Sequence, residues 1–390
     1  MLKDDAHDAI LLLSHSTGFS STALHALFRF FSLKPQTTSI VQILHPLDDP
    51  DQPATITVGA DPPKKYFRPP PRSLKHVALV RHAWHFFVGF FAVNCKSTST
   101  TLAIGLNPLN AAVLIICRFF LGRPQTVIFF SCDYSETRFP SPFTSMLYVY
   151  IDAFARYFAD RTWNVSPRMQ LIAHKESRIA KRQMLVANGV SSIFGEPDRV
   201  KYEAEPVTTI QFVYIGSLEP GKGLEVLIEA LGSCAIVHEW RLTVIGDGSL
   251  KHALISRAAD LGLLQRLHFS GFIPNEHIHD FLARMHVGFA PYTSTPSYNY
   301  YCDPVKVKDY LASGVFTIVS DIPWIGSRLE QLGIGHSYSS QLHLRDVITT
   351  TVGSLIGQVY DREQVFQTAR GAGLVPTWHE TFTDGLSGLS

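Results

Sequence analysis

Gln211-Phe212-Val213-Tyr214-Ile215-Gly216-Ser217-Leu218-Glu219-Pro220-Gly221-Lys222-Gly223 decides the fold. Gln211–Ile215 is a short β-rich run, and the apolar residues from Gly223 to Leu231 recur at helical spacing. A glycine-rich turn joins them, so the stretch reads as strand, turn, helix. The same order recurs downstream. Arg241–Ile245 is followed by Leu250–Leu261, and Leu267–Ser270 by Glu276–Met285. Val287–Pro291 precedes Pro304–Ala312, and Phe316–Ser320 precedes Trp324–Gln331. This succession predicts an α/β fold with a doubly wound parallel sheet. No repeat of about 20–50 residues is visible, which excludes a solenoid.

Upstream the pattern is less regular. Ile10–Leu13, Ser39–Leu44, Thr100–Ile104 and Thr126–Phe130 read as strands. Ala23–Phe31, residues 76–91 and Asn110–Phe120 read as helices. Residues 50–75 are rich in proline and charge and read as loop. The polar stretch Gly195–Glu205 is the expected linker. The expected domains are therefore 1–195 and 206–370, with a C-terminal helix in 371–390 returning to the first.

A chain of 390 residues is too long for one ordinary core and suits two α/β domains. With 46% hydrophobic and 17% charged residues, long disorder is excluded. The balance of 34 basic against 33 acidic residues argues against a nucleic-acid partner. Cys95, Cys117, Cys132, Cys234 and Cys302 form no CxxC pair and are odd in number, which fits a reducing compartment. The histidines show no HExxH spacing, and His277 and His279 fall on different helix faces, so no metal is expected. The acidic Met1–Ala9 leads into a strand-like run rather than a signal peptide. The apolar runs Phe86–Val93 and Ala111–Cys117 are too short to span a bilayer. The expected location is cytoplasmic. The apolar, weakly basic N-domain helices are compatible with peripheral contact at the inner membrane face, although core burial explains them equally.

Doubly wound sheets bind ligands at the C-terminal ends of their strands. After the first such strand, Gly216 and Ser217 would let backbone approach an anion, and Lys222 would add a charge at a helix start. A tight turn with a surface lysine explains the same segment. Gly246 and Asp247 would lie beside phosphates or sugar, or else form a turn with Ser249 capping the next helix. Phe272 and Ile273 would wall a nucleobase, or merely connect strand to helix. Asp303 is expected as an N-cap and Pro304 as the first helical residue. Val305 and Lys306 would then offer backbone N–H groups to a diphosphate, and Asp309 would accept from ribose hydroxyls. A surface Lys306–Asp309 ion pair is the alternative.

These segments resemble the family-4 retaining glycosyltransferases of the GT-B fold, the glycosyl transferases group 1. The family's strand, Gly-Arg-Leu, Lys-Gly and helix stand here as Gly216-Ser217-Leu218 and Lys222-Gly223. Its Pro-x-Lys-x-x-Glu-Tyr-x-Ala-x-Gly stands as Pro304 to Gly314. Ala159 to Met169 is similar to its ADxxxxxS strand, and Val186 to Val190 to the turn ending its N-domain. Ser217 replaces the arginine that usually accompanies the lysine, and the paired acids fall on Tyr301 and Asp309.

The resemblance implies two Rossmann-like domains facing across a cleft. It also implies transfer of a hexosyl group from a nucleotide-diphosphate sugar, with retention and without a metal or other cofactor. The acceptor would be a hydroxyl of a glycan or glycolipid, as in surface polysaccharide biosynthesis. Lys222 and Asp133 are the catalytic candidates, Asp133 because it follows the strand Thr126–Phe130. Ser16, Thr17, Gly18 and Arg138 are acceptor-side candidates; ordinary turns and a local salt bridge explain them as well. A non-catalytic subunit that only binds nucleotide sugar, or a sugar-nucleotide epimerase, are the alternatives.

Overall fold

The fold is given by a computed structural model, which describes residues 9–14, 22–34, 39–44, 54–58, 64–67, 83–84, 86–91, 93, 101–172, 182–190 and 206–387. The chain divides into two units, Met1–Ala187 with Trp378–Ser390, and Asn188–Thr377.

The first unit is built on eight strands: β1 (Ala9–Ser14), β2 (Ser39–Leu44), β3 (Ala54–Val58), β4 (Lys64–Phe67), β5 (Thr101–Leu106), β6 (Thr126–Ser131), β7 (Arg161–Asn164) and β8 (Gln183–Leu185). Their order across the sheet is β4-β3-β2-β1-β5-β6-β7-β8. All neighbours are parallel except β2–β3 and β3–β4. Every residue of β1 is buried, as expected of a central parallel strand covered on both faces. The antiparallel β3–β4 hairpin corrects the reading of residues 50–75 as loop. Ala54-Thr55-Ile56-Thr57-Val58 alternates with β-branched residues and buries Ile56, while Pro62 and Pro63 fall between the strands.

Helix Pro108–Leu121 opens on a proline and ends at Gly122 in the left-handed conformation. Helix Pro142–Phe158 was not expected from the sequence. Ser141 caps it, and its interior Arg156 is buried. Arg156 pairs with Asp152 at 2.6 Å and donates to Ser131, Asn164 and Gln183, so one guanidinium ties the helix to β6, β7 and β8. Helix Trp378–Leu386 closes this unit: Phe382 stacks on Trp163, whose Nε1 donates to the Gly385 carbonyl at 3.1 Å.

The second unit holds β9 (Ile210–Ile215), β10 (Trp240–Ile245), β11 (Leu267–Gly271), β12 (Val287–Ala290), β13 (Phe316–Ser320) and β14 (Gly335–Tyr338). All are parallel, in the order β11-β10-β9-β12-β13-β14. The chain therefore winds outward from β9 in one direction, returns, and winds outward from β12 in the other. The place where the winding reverses, between β9 and β12, is where such sheets bind ligands. The five strands read from the sequence are all present. The sixth, Gly335-His336-Ser337-Tyr338, carries too little apolar character to be legible. Helices Gln341–Leu355 and Arg362–Gly371 complete the unit. No helix among the described residues is long and apolar enough to cross a membrane.

Candidate functional site

The loops at the C-terminal edge of the second sheet are bound to one another through their backbones. Gly216 N–H donates to Ile245 O, and Gly246 N–H to Gly271 O, each at 2.9 Å. Leu218 N–H donates to Asp247 O, and Leu250 N–H to Leu218 O. Gly216 and Gly246 both have φ of +142°, and a Cβ on Gly246 would stand 1.9 Å from the Gly216 carbonyl oxygen. Only glycine fits where these chains touch.

Across the winding reversal, the loop after β9 meets the loop after β12. A Cβ on Gly223 would lie 1.5 Å from Pro291 O. The Gly221 carbonyl accepts from Thr293 N–H, from Thr293 Oγ1 and from Asn299 Nδ2, the last at 3.0 Å. Lys222 is thus held between two anchored residues. Helix Leu224–Ser233 follows, capped by left-handed Gly223 with no side-chain hydrogen bond. Its first amides face outward at the positive end of the helix dipole, the arrangement that binds anions.

Helix Val305–Ala312 lies over the same reversal because of Tyr310. The Tyr310 hydroxyl accepts from Ile215 N–H at 2.9 Å and donates to Phe289 O at 3.1 Å, reaching both β9 and β12. The expectation that Asp303 caps this helix is corrected. Pro304 occupies the cap position and Val305 the first turn. Asp303 is buried, accepts from Asn188 N–H at 2.8 Å and pairs with Lys308 at 3.3 Å. Lys308 also donates to Leu374 O, so the capping-type carboxylate is consumed by an interior charge pair. Burial raises Asp303, and Lys308 opposes that rise. Val305 and Lys306 keep the first-turn amides that intrahelical bonding leaves unmade.

The Lys306 side chain, for which the sequence offered only a surface pair with Asp309, is buried over an aromatic floor. Its Nζ is 4.1 Å from the Tyr214 ring centroid and 5.1 Å from that of Tyr292. Lys222 Nζ is 5.8 Å from the Tyr292 centroid and 5.1 Å from that of Tyr298. Desolvation, and then the neighbouring Lys222, push Lys306 down to about 7. Lys222 and the helix bearing Asp309 therefore converge on Tyr292. Asp309 retains some exposure, yet desolvation pushes its carboxyl up to about 7, with Lys308 opposing. Among the described residues no ion pair joins Lys306 to Asp309.

Tyr214, Tyr292 and Tyr298 escaped the sequence reading. Tyr292 stands two residues beyond β12, and that position was the available signal.

The other candidates sit as follows. Asp247 is exposed and tied to Lys251 at 3.0 Å. Ser249 does not cap a helix: its N–H and Oγ both bond Glu219, and the helix begins at Lys251. Phe272 is largely exposed, and Ile273 packs against the apolar cluster that contains Ile245, Ile278 and Leu282. In the first unit Asp133 and Arg138 pair at 2.7 Å, with Arg138 over the Tyr148 ring. Ser16, Thr17 and Gly18 lie outside the described residues. Among the described residues no group of three His, Cys, Asp or Glu could hold a metal ion.

The glycine-lined rim stands at the reversal of a parallel sheet, the place where doubly wound α/β units bind their ligands. Residues 197–331 match the model of the family described as glycosyl transferases group 1. No curated protein matches the chain. Among solved structures, the apo form of the lipopolysaccharide outer core galactosyltransferase WaaB is similar at 15% identity and TM-score 0.64, covering 97% of this chain and 99% of that one. Anabaena Alr3699/HepE in complex with UDP is similar at 15% identity and TM-score 0.63, covering 98% and 100%. Sucrose-phosphate synthase (tll1590) from Thermosynechococcus elongatus is similar at 14% identity and TM-score 0.67, covering 97% of each. At such identities the likeness concerns the fold, which is GT-B: α/β, with two parallel-sheet domains.

Proposed function

We propose that this protein is a retaining glycosyltransferase that moves a hexosyl group from a nucleotide-diphosphate sugar to a hydroxyl of a glycan or glycolipid. One observation carries the reading: Lys222, an uncapped helix start and the Asp309 helix meet at the winding reversal of the second sheet. The group 1 match over residues 197–331 and the UDP held by HepE support a nucleotide donor. In this reading Lys222 and the amides of helix Leu224–Ser233 stabilise the departing diphosphate, where negative charge grows in the transition state. Asp309 accepts from the ribose, and Gly216, Ser217, Gly246 and Asp247 line the sugar-diphosphate. Phe272 and Ile273 face the base. The acceptor hydroxyl attacks from the face the diphosphate leaves, and a departing phosphate oxygen takes its proton, so no protein nucleophile is required. Asp133 and Arg138 are assigned to the acceptor side in the first unit.

A glycolipid acceptor would place the protein at a membrane surface. Helix Pro142–Phe158 suits that role. It exposes Phe143, Met146, Tyr150 and Tyr157, while its charged residues, Asp152 and Arg156, are buried against each other. Arg182 donates to a carbonyl at its C-terminal end, placing a cation where anionic headgroups would lie, whereas Arg118 beside it is paired with Asp160.

Titration with UDP-, GDP- and dTDP-sugars, followed by NMR of the product's anomeric proton, tests the reading. Donor binding, slow donor hydrolysis and retained configuration are expected. Lys222→Ala should weaken binding; unaltered affinity contradicts the site. Binding without any turnover would favour a non-catalytic subunit, and sugar isomerisation an epimerase.

A further inference from the structure

The Lys306 side chain leaves the first turn of helix Val305–Ala312 and ends against the backbone of Gly216. A Cβ added to Gly216 would stand 2.8 Å from Lys306 Nζ and 3.3 Å from Cε. Gly216 is the residue at which the chain leaves β9, and Ser217 follows it. Lys306 therefore delivers its charge to the glycine turn that closes β9, one residue before Ser217. The ammonium is only 9% exposed as a residue and has no carboxylate partner among the described residues. A buried charge without a partner loses hydration and gains no ion pair in return. Such arrangements concentrate where function needs the charge.

We infer that the Lys306 ammonium is the second cation of the diphosphate subsite, acting in place of the basic group that Ser217 does not supply. The inference rests on the nucleotide-sugar reading above. The diphosphate of a sugar nucleotide carries two negative charges, and Lys222 alone answers one of them.

The groups facing Lys306 are the Tyr214 and Tyr292 rings, Lys222 and the Cys302 thiol. Burial raises both tyrosine hydroxyls, which stay neutral through the neutral range. Without ligand, desolvation and Lys222 bring Lys306 to about 7. An arriving diphosphate screens Lys222 and supplies opposite charge, so the charged form of Lys306 is restored and a proton is bound. Asp309, on the same helix, titrates with the opposite consequence. It must be ionised to accept from ribose, so it weakens binding on the acid side, whereas Lys306 weakens it on the alkaline side.

Calorimetric titration with UDP-glucose, GDP-mannose and dTDP-glucose between about pH 6 and about pH 9 tests this. The diphosphate diesters themselves do not titrate in that range. For whichever ligand binds most tightly, affinity should fall toward tenfold per pH unit above about 7. Heats measured in two buffers of different ionisation enthalpy should show uptake of nearly one proton at about pH 8. Lys306→Met should bind more weakly at about pH 6 and lose both the alkaline slope and the proton uptake. Lys306→Arg should keep the affinity and lose the slope, because guanidinium stays charged. A cooperative melt establishes that each variant is folded; if Lys306→Met is not, Lys306→Arg and the wild-type profile decide. Flat wild-type binding above about pH 7, or a wild-type slope in Lys306→Arg, overturns the inference. Failure of the wild type to bind any of the three ligands overturns the nucleotide-sugar reading itself.

Discussion

Replacing Gly223 by alanine tests the argument about the winding reversal most directly. Gly223 caps helix Leu224–Ser233 with φ of +75°, so alanine would sit in the left-handed region at about 1–2 kcal/mol. Its Cβ would also meet Pro291 O at 1.5 Å, whereas real Cβ atoms keep at least 3.0 Å. Backbone must yield, and overpacking of this kind costs about 1–3 kcal/mol. Gly223→Ala should therefore destabilise the protein by about 2–5 kcal/mol. Where alanine is sterically free the sign reverses. Gly353 in helix Gln341–Leu355 has nothing within 4 Å of an added Cβ, so Gly353→Ala should stabilise by about 0.5–1 kcal/mol. Urea denaturation of both variants, with unchanged slope, measures the contrast. Because Gly223 adjoins Lys222 and touches the loop after β12, Gly223→Ala should also weaken sugar-nucleotide binding. A neutral or stabilised Gly223→Ala would refute the close approach of the two loops.

Lys308→Met should leave Asp303 buried without its cation and cost about 3–5 kcal/mol, read from the urea midpoint; a loss below about 1 kcal/mol would mean the pair is not desolvated. Without ligand, Lys306 is depressed from 10.5 to about 7, so the folded protein carries the full cost of the buried ammonium below about 7 and sheds it between about 7 and 10.5. Stability should rise with pH across that window. Lys306→Met should exceed the wild type by roughly 5 kcal/mol near pH 6, with the gap closing near pH 10; a pH-independent gap would contradict it. Asp309→Asn should weaken binding of ribonucleotide sugars by roughly 10–100-fold and blunt their preference over 2′-deoxy analogues, as titration would show. Equal affinity would remove Asp309 from the ribose.

The second sheet was legible because each of its first five strands is a compact apolar run followed by a helix with a clear start. β14 was not, since a polar edge strand lacks that contrast. The β3–β4 pair was hidden by Pro62 and Pro63, which stand in the sequence between the two strands rather than within either. Within the site, Gly216, Gly246 and Lys222 stood out by composition. The direction of Lys306 did not, because its spacing from Asp309 suggests a surface pair. What turns the lysine inward is an aromatic floor contributed by Tyr214 and Tyr292, on other elements. Asp303 failed as a cap for a related reason: its partners, Asn188 and Lys308, lie 115 and 5 residues away, and helix-start statistics see neither.

Tyr310 shows how the reversal is kept apart. The β9–β12 ladder ends at the pairing of Tyr214 with Phe289. One step on, the phenol stands where the next rung would be, satisfying an amide of one strand and a carbonyl of the other. It acts as a fixed-width spacer at a fork: with it in place the two strands neither zip further nor splay. The gap between the two strand ends is thereby sized by one aromatic ring, built into the same short helix that carries Lys306.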